Sequence, residues 1–191
     1  RSGFVQQCHC PQCKSDGYNY GGRYFKLPDN HDCRRLIAAV EEWAARSKRD
    51  LAEYWPRITT NPYPNDVPDN DSRVQNMDRW NYNFWWKMFN SRQLLVHAQL
   101  LKTITEAPED SWPLDVKEQA LGAFQQYIRN QNLFSFWDIS RDCMAPALSN
   151  SNFHPKSLVV ENCVFNSLGR GNWSSNNENT SKGAEWANDP W

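Results

Sequence analysis

The chain has 191 residues, with 21 Lys and Arg against 22 Asp and Glu and a formal net charge of −1. That length allows one domain with a real core, or two small ones. The near-neutral balance excludes a strong overall field steering the chain toward nucleic acid, and no apolar run has the length a membrane span needs. Ten Trp point to a packed protein, because aromatic side chains bury large areas.

Residues 1 to 26 carry three of the six cysteines, Cys8, Cys10 and Cys13. Tyr18 to Phe25 then reads as a short β-hairpin turning at Gly21-Gly22. Cys33, Cys143 and Cys163 are scattered. A secreted disulfide framework usually spreads its cysteines through a smaller chain. The pattern therefore predicts a reduced, cytoplasmic protein, as does the lack of a secretory signal pattern.

A helix is expected from His31 or Asp32, with Leu36, Ile37, Val40, Trp43 and Ala44 as its apolar stripe. It runs at most to Tyr54 and stops by Pro56. Pro62, Pro64 and Pro68 then argue for an extended connector. Six aromatics crowd the ten positions from Trp80 to Phe89. Ser91 is the expected N-cap of the next helix, whose apolar face is Leu94, Leu95, Ala98, Leu101 and Ile104. Pro113 suits the first turn of a further helix, with Leu114, Leu121, Phe124 and Ile128 on one side. Beyond Asn132 the pattern is irregular, with Ser157 to Val160 as a short strand. Asn166 to Trp191 is too rich in Asn, Ser and Gly to bury much apolar area, which predicts a mobile tail or a loop that needs more protein to order it.

The fold class expected is mainly α (α+β). The expected organisation is a cysteine-bearing hairpin over residues 1–26, a helical region over 27–165 and a flexible end over 166–191.

Cys10-Pro11-Gln12-Cys13 is the one metal-type spacing. Such a turn lets two thiolates reach one Zn²⁺, but a structural site wants four ligands. Cys8, Cys33, His9 and His31 are the candidate mates. A redox role of the thioredoxin type is not expected, since no strand is read before the pair and no helix at it. His97, mid-helix, reads as a satisfied or solvated histidine.

Several short blocks carry a resemblance. Arg73-Val74-Gln75-Asn76, a spacer of aromatics, then Phe89-Asn90-Ser91-Arg92-Gln93-Leu94-Leu95 resembles the adenine-specific DNA methylases that contain a zinc ribbon. The order continues through Ser135-Phe136-Trp137-Asp138, Phe153-His154-Pro155-Lys156, Glu161-Asn162, Gly169 and Gly171-Asn172-Trp173. Cys10 to Cys13 looks like one Cys pair of that family's ribbon. Ser91 departs from the family's usual Pro, and Cys163 from its usual apolar or Ala residue.

The resemblance implies a segment of an enzyme that transfers a methyl group from S-adenosylmethionine to adenine N6 of DNA. It implies zinc at Cys10 and Cys13, with the mate pair upstream in the parent protein. It also implies a role in bacterial modification or phage defence. Arg92, Gln93, Arg141, His154 and Lys156 lie in the blocks and are candidates to contact DNA or the neighbouring domain, or else to hold helix ends and salt bridges.

A methylase of this kind needs a glycine-rich cofactor turn and an Asp-Pro-Pro-Tyr type element for the flipped base. The sequence contains neither. Asn61-Pro62-Tyr63-Pro64 has the wrong order, Asp189-Pro190-Trp191 is one proline short, and Gly169-Arg170-Gly171 is too brief. The segment alone is therefore expected to be non-catalytic and to bind no S-adenosylmethionine. Its partners would be DNA, through the parent enzyme, and the rest of that chain, with no membrane. The alternative reading is a non-enzymatic zinc-containing helical adaptor for nucleic acid or protein.

Overall fold

A computed structural model describes residues 6–60, 77, 80–138, 140, 143–146, 160–165 and 171–189. The chain divides into two compact units, Arg1–Glu42 and Trp43–Trp191. It is mainly helical, with two small antiparallel sheets.

In the first unit, β1 (Gln6–His9) pairs antiparallel with β2 (Arg23–Lys26), placing Cys8 opposite Tyr24. The expected hairpin is thus present, but its first strand is Gln6–His9 and not Tyr18 to Tyr20. Glycine geometry explains the difference. Gly21 and Gly22 have φ of +57° and +77°, within a 3-10 turn over Asn19–Gly22. A Cβ on Gly22 would lie 2.3 Å from the Cys10 carbonyl oxygen. The glycines therefore lay the chain against the cysteine turn, and the Cys10 N–H donates to the Gly22 carbonyl at 2.9 Å.

A short helix, α1 (Pro11–Ser15), fills the connection, with Pro at its first position. Both a strand and a helix start therefore flank the Cys pair, contrary to expectation. Neither Gln6–His9 nor Pro11–Ser15 has an apolar period that would betray it.

The next helix, α2 (Asn30–Arg46), begins where expected. Asp29 Oδ1 accepts the His31 and Asp32 N–H groups, and Asp32 Oδ2 accepts the Asp29 N–H at 3.1 Å. This reciprocal cap satisfies donors that a helix start otherwise leaves orphaned. The Asp29 N–H, followed by the Lys26 ammonium, holds the Asp32 carboxyl down at about 2. No residue of α2 is buried. Of its predicted stripe, Leu36, Ile37 and Val40 are exposed, whereas Trp43 is half-buried and meets Trp55 edge-on at 5.5 Å.

In the second unit the chain leaves α2 through turns that bury Leu51. The Trp55 indole N–H donates to the Ser47 carbonyl at 3.0 Å. A single bridge joins Thr59 to Phe84. The connector from residue 61, with Asn61 to Pro64, lies outside the described residues, as does Arg73 to Asn76.

Two longer helices, α3 (Ser91–Thr105) and α4 (Leu114–Ile128), follow as expected. The cap of α3 is Asn90, however, and not Ser91. Asn90 Oδ1 accepts the Gln93 N–H and Gln93 Oε1 accepts the Asn90 N–H. Asn90 wins because a Gln stands three positions on and closes a capping box, which Ser91 lacks. On α4, Phe124 is buried, but Leu114 is 70% exposed because it opens the helix ahead of the packed turns. Ile104, Ala120, Phe124 and Tyr127 form the main core, and Leu101, Leu121, Ile128 and Trp173 pack on it. Each such large side chain contributes about 1.5–3 kcal/mol when fully buried.

The irregular stretch after Asn132 contains a second small sheet, β3 (Phe136–Asp138) against β4 (Cys143–Ala145). Residues 157–159 of the expected strand fall outside the described residues. The tail departs most from expectation, because Trp173–Asn188 is a helix, α5. Composition underestimated it. Asn172, fully buried, caps its start by accepting the Ser175 N–H at 2.8 Å. Trp173 meets Tyr127 edge-on at 6.0 Å. One aromatic anchor and one cap thus do what an apolar stripe does elsewhere.

Candidate functional site

The first candidate site is the cysteine turn. β1 delivers Cys10 to the N-cap of α1, and its sulfur accepts the Cys13 N–H at 3.4 Å. That N–H holds the Cys10 thiol below its ordinary range. The Cys13 thiol is pushed up because it donates to the Cys10 sulfur. The Cys-x-x-Cys turn places the two thiols so that a soft cation could hold both as thiolates.

Across the strand pair, a hydrogen bond with Cys8 raises the Tyr24 phenol. Strand alternation puts Cys8 and Cys10 on one face. Among the described residues no group of three or more His, Cys, Asp or Glu is close enough to hold a metal. Cys8, His9, His31 and Cys33 therefore do not complete a set with Cys10 and Cys13 there. The donor chemistry fits half of a zinc site, and Cys33 is exposed on α2.

The second candidate is the junction of the family-like blocks. Arg92 Nε donates to Glu161 Oε1 at 2.8 Å, and its terminal nitrogen to Oε2 at 2.6 Å. Asn90 Nδ2 adds a third bond to Glu161 at 3.0 Å. The Val160 N–H donates to the Ser135 carbonyl, and the Trp173 N–H to the Val164 carbonyl. Gln131 Nε2 donates to the Gly171 carbonyl at 3.0 Å.

Of the sequence-predicted residues, Arg92 forks onto Glu161. Gln93 is buried, and its side-chain oxygen accepts the Asn90 N–H in the cap. Arg141, His154 and Lys156 lie outside the described residues.

Beneath the junction sits a buried polar group that periodicity alone does not reveal. His97 Nε2 lies 2.9 Å from the Gln131 carbonyl and Nδ1 lies 3.1 Å from the Tyr127 hydroxyl. A carbonyl only accepts, so Nε2 carries the proton and the Tyr127 hydroxyl donates to Nδ1. Burial lowers the His97 pKa to about 4 and pushes the Tyr127 phenol well up. Both ring nitrogens are engaged, in keeping with the satisfied histidine of the sequence reading.

No protein-family model matches the chain, and neither a curated protein nor a solved structure resembles it significantly.

Proposed function

We propose that the chain is the scaffold and target-recognition segment of an S-adenosylmethionine-dependent methyltransferase acting on adenine N6 of DNA. One observation supports this reading most. Two of the blocks on which the resemblance rests, the one with Asn90 and Arg92 and the one with Glu161, are far apart in sequence, yet side-chain hydrogen bonds join them in one compact unit. Asn90 and Arg92 bind Glu161, while Ser135, Gly171 and Trp173 of the later blocks bond to Val160, Gln131 and Val164, which stand outside the blocks. Residue types that match the motifs, Asn90, Arg92 and Glu161, make the side-chain bonds.

In this reading Cys10 and Cys13 hold half of a structural Zn²⁺ that cross-links the ribbon, and the other two ligands come from elsewhere in the parent protein. The cofactor pocket and the base-binding element also belong to other parts of that protein, which works on cytoplasmic DNA in modification or phage defence. The test is direct. The parent protein, incubated with S-adenosylmethionine and duplex DNA, is expected to produce N6-methyladenine detectable by mass spectrometry. A parent that carries no glycine-rich cofactor motif and yields no methylated adenine would sink the reading.

The half-site of the cysteine turn also favours a second reading, a non-enzymatic adaptor joined through zinc. It predicts stoichiometric zinc on this chain with no methyl transfer by its parent.

A further inference from the structure

The segments 54–60 and 80–105 contain Arg57, Lys87, Arg92 and Lys102 and no Asp or Glu. Arg92 and Lys102 are paired with Glu161, Asp50 and Glu106, which leaves Arg57 and Lys87 as the cations on the two stretches that the Thr59–Phe84 bridge brings side by side. Aromatic rings occupy the same ground. The Arg57 guanidinium lies 5.5 Å from the centre of the Trp55 ring. Trp55 meets Trp86 edge-on at 6.4 Å, and Trp86 stacks on Phe84.

The Lys87 ammonium sits 5.9 Å from the Trp86 ring and 6.0 Å from the Phe84 ring. It is fixed there by bonds to the Asn81 carbonyl and Oδ1 at 3.1 and 3.0 Å. Asn81 has a φ of +65°, a left-handed conformation that Asn tolerates better than most residues. An ammonium has three donors, so one remains after Asn81 for an outside oxygen. Next to Asn81, Trp80 is 59% exposed, and Trp85, at the bridge, is 36% exposed.

From this juxtaposition we infer that the Trp55–Arg57 and Trp80–Lys87 segments form a platform for single-stranded nucleic acid. Unpaired bases stack on the exposed parts of Trp80 and Trp85, and backbone phosphates meet Lys87 and Arg57. Stacking needs only a π-face, so the platform is indifferent to sequence. A duplex keeps its bases stacked on each other and offers only phosphates, so it binds less well. A purely apolar partner would leave Lys87 and Arg57 without a counter-charge. The inference does not depend on the methyl-transfer reading. That reading is tested by N6-methyladenine in the parent's DNA, and this one by strand binding to the present chain.

The experiment is fluorescence anisotropy of the full 191-residue chain with labelled twenty-nucleotide oligothymidylate and oligouridylate, over a salt series. A duplex of equal length and heparin serve as competitors. Binding to either oligomer, tighter than to the duplex, is expected. Trp80→Ala and Trp85→Ala should each weaken it about tenfold. Lys87→Gln should weaken it and lower the slope of log affinity against log salt by about 0.7. Lys182→Gln, which removes a cation paired with Glu178 on α5, should change nothing. Both Trp residues are exposed, so the melting temperature of each variant is expected to match the parent, and a melt run beside each titration checks this. Three results would overturn the inference: no binding at low salt, equal binding by the folded Trp variants, or heparin competing as well as the oligomers.

Discussion

Arg92 and Glu161 stand 69 positions apart and meet in a two-pronged ion pair, with Asn90 as a third donor on the same carboxylate. Asn90 thus has two duties. Its oxygen caps α3 and its nitrogen ties the cap to Glu161. The side chains are 44% and 28% exposed, so solvent screens the pair and its worth stays near the upper end for surface pairs, about 1 kcal/mol. Glu161→Gln and Arg92→Lys are each expected to lower stability by about that amount. A double-mutant cycle in urea should return a coupling energy of about 0.5–1 kcal/mol. Strictly additive effects would mean that the fork is decorative.

His97 gives a pH dependence of known sign. Burial is the main cause of its low value, about 4 in the fold against an ordinary 6.5. The unfolded chain therefore binds the extra proton first as pH falls. Stability contributed by neutral His97 is fully present above about pH 6.5 and declines as pH drops toward 4. The loss over that window is on the order of 3 kcal/mol. Urea midpoints at pH 7 and pH 5 should fall in that order, and His97→Gln should flatten the difference. An imidazole NMR signal that titrates near 6.5 in the folded protein would rule the account out.

Some of this fold is legible in the sequence, and the division has physical causes. α3 and α4 stand out because their apolar residues recur at helical spacing and Pro113 marks a start. The cap of α3 misleads because Asn90 and Ser91 are both good capping residues, and only Gln93 decides between them. α5 escapes because its stability comes from Asn172 and Trp173 at one end. β1 escapes because Gln6–His9 has no apolar alternation, and its strand character is set by pairing with Arg23–Lys26. In the site, Cys10 and Cys13 declare themselves by spacing. The Arg92–Glu161 and His97–Tyr127 pairs do not, since periodicity describes neighbours along one element and these bonds join different ones.

The glycines of the ribbon allow a controlled comparison. Gly21 and Gly22 both have positive φ, so an alanine at either is strained by about 1–2 kcal/mol. Only Gly22 also touches the cysteine turn, where an added Cβ would sit 2.3 Å from the Cys10 carbonyl oxygen and 2.9 Å from the Lys14 nitrogen. Around Gly21 nothing lies within 4 Å. Gly22→Ala should therefore break the Cys10 N–H bond to residue 22 and speed exchange of the Cys10 amide by at least tenfold more than Gly21→Ala does. Equal exchange in the two variants would show that the close approach is not needed to hold the turn.

Asn172 is the sharpest test of the α5 helix. Its side-chain oxygen accepts the Ser175 N–H, while its carbonyl accepts from Ser175 Oγ and Asn176 Nδ2. Removing a cap of this kind costs about 1 kcal/mol. Here the side chain is also fully buried, so the orphaned N–H has no ready access to water and the cost moves toward about 2 kcal/mol. Asn172→Ala should thus lower the urea midpoint and open residues 173–188 to limited proteolysis, whereas Asn172→Asp should retain the cap. Gly171→Ala should act in the same direction for a different reason, since its φ is +75° and its Cβ would meet the Asn130 side chain at 2.7 Å. If the Asn172→Ala protein resists proteolysis as well as the parent, the helix is held by Trp173 against Tyr127 alone, and Trp173→Ala should then release it.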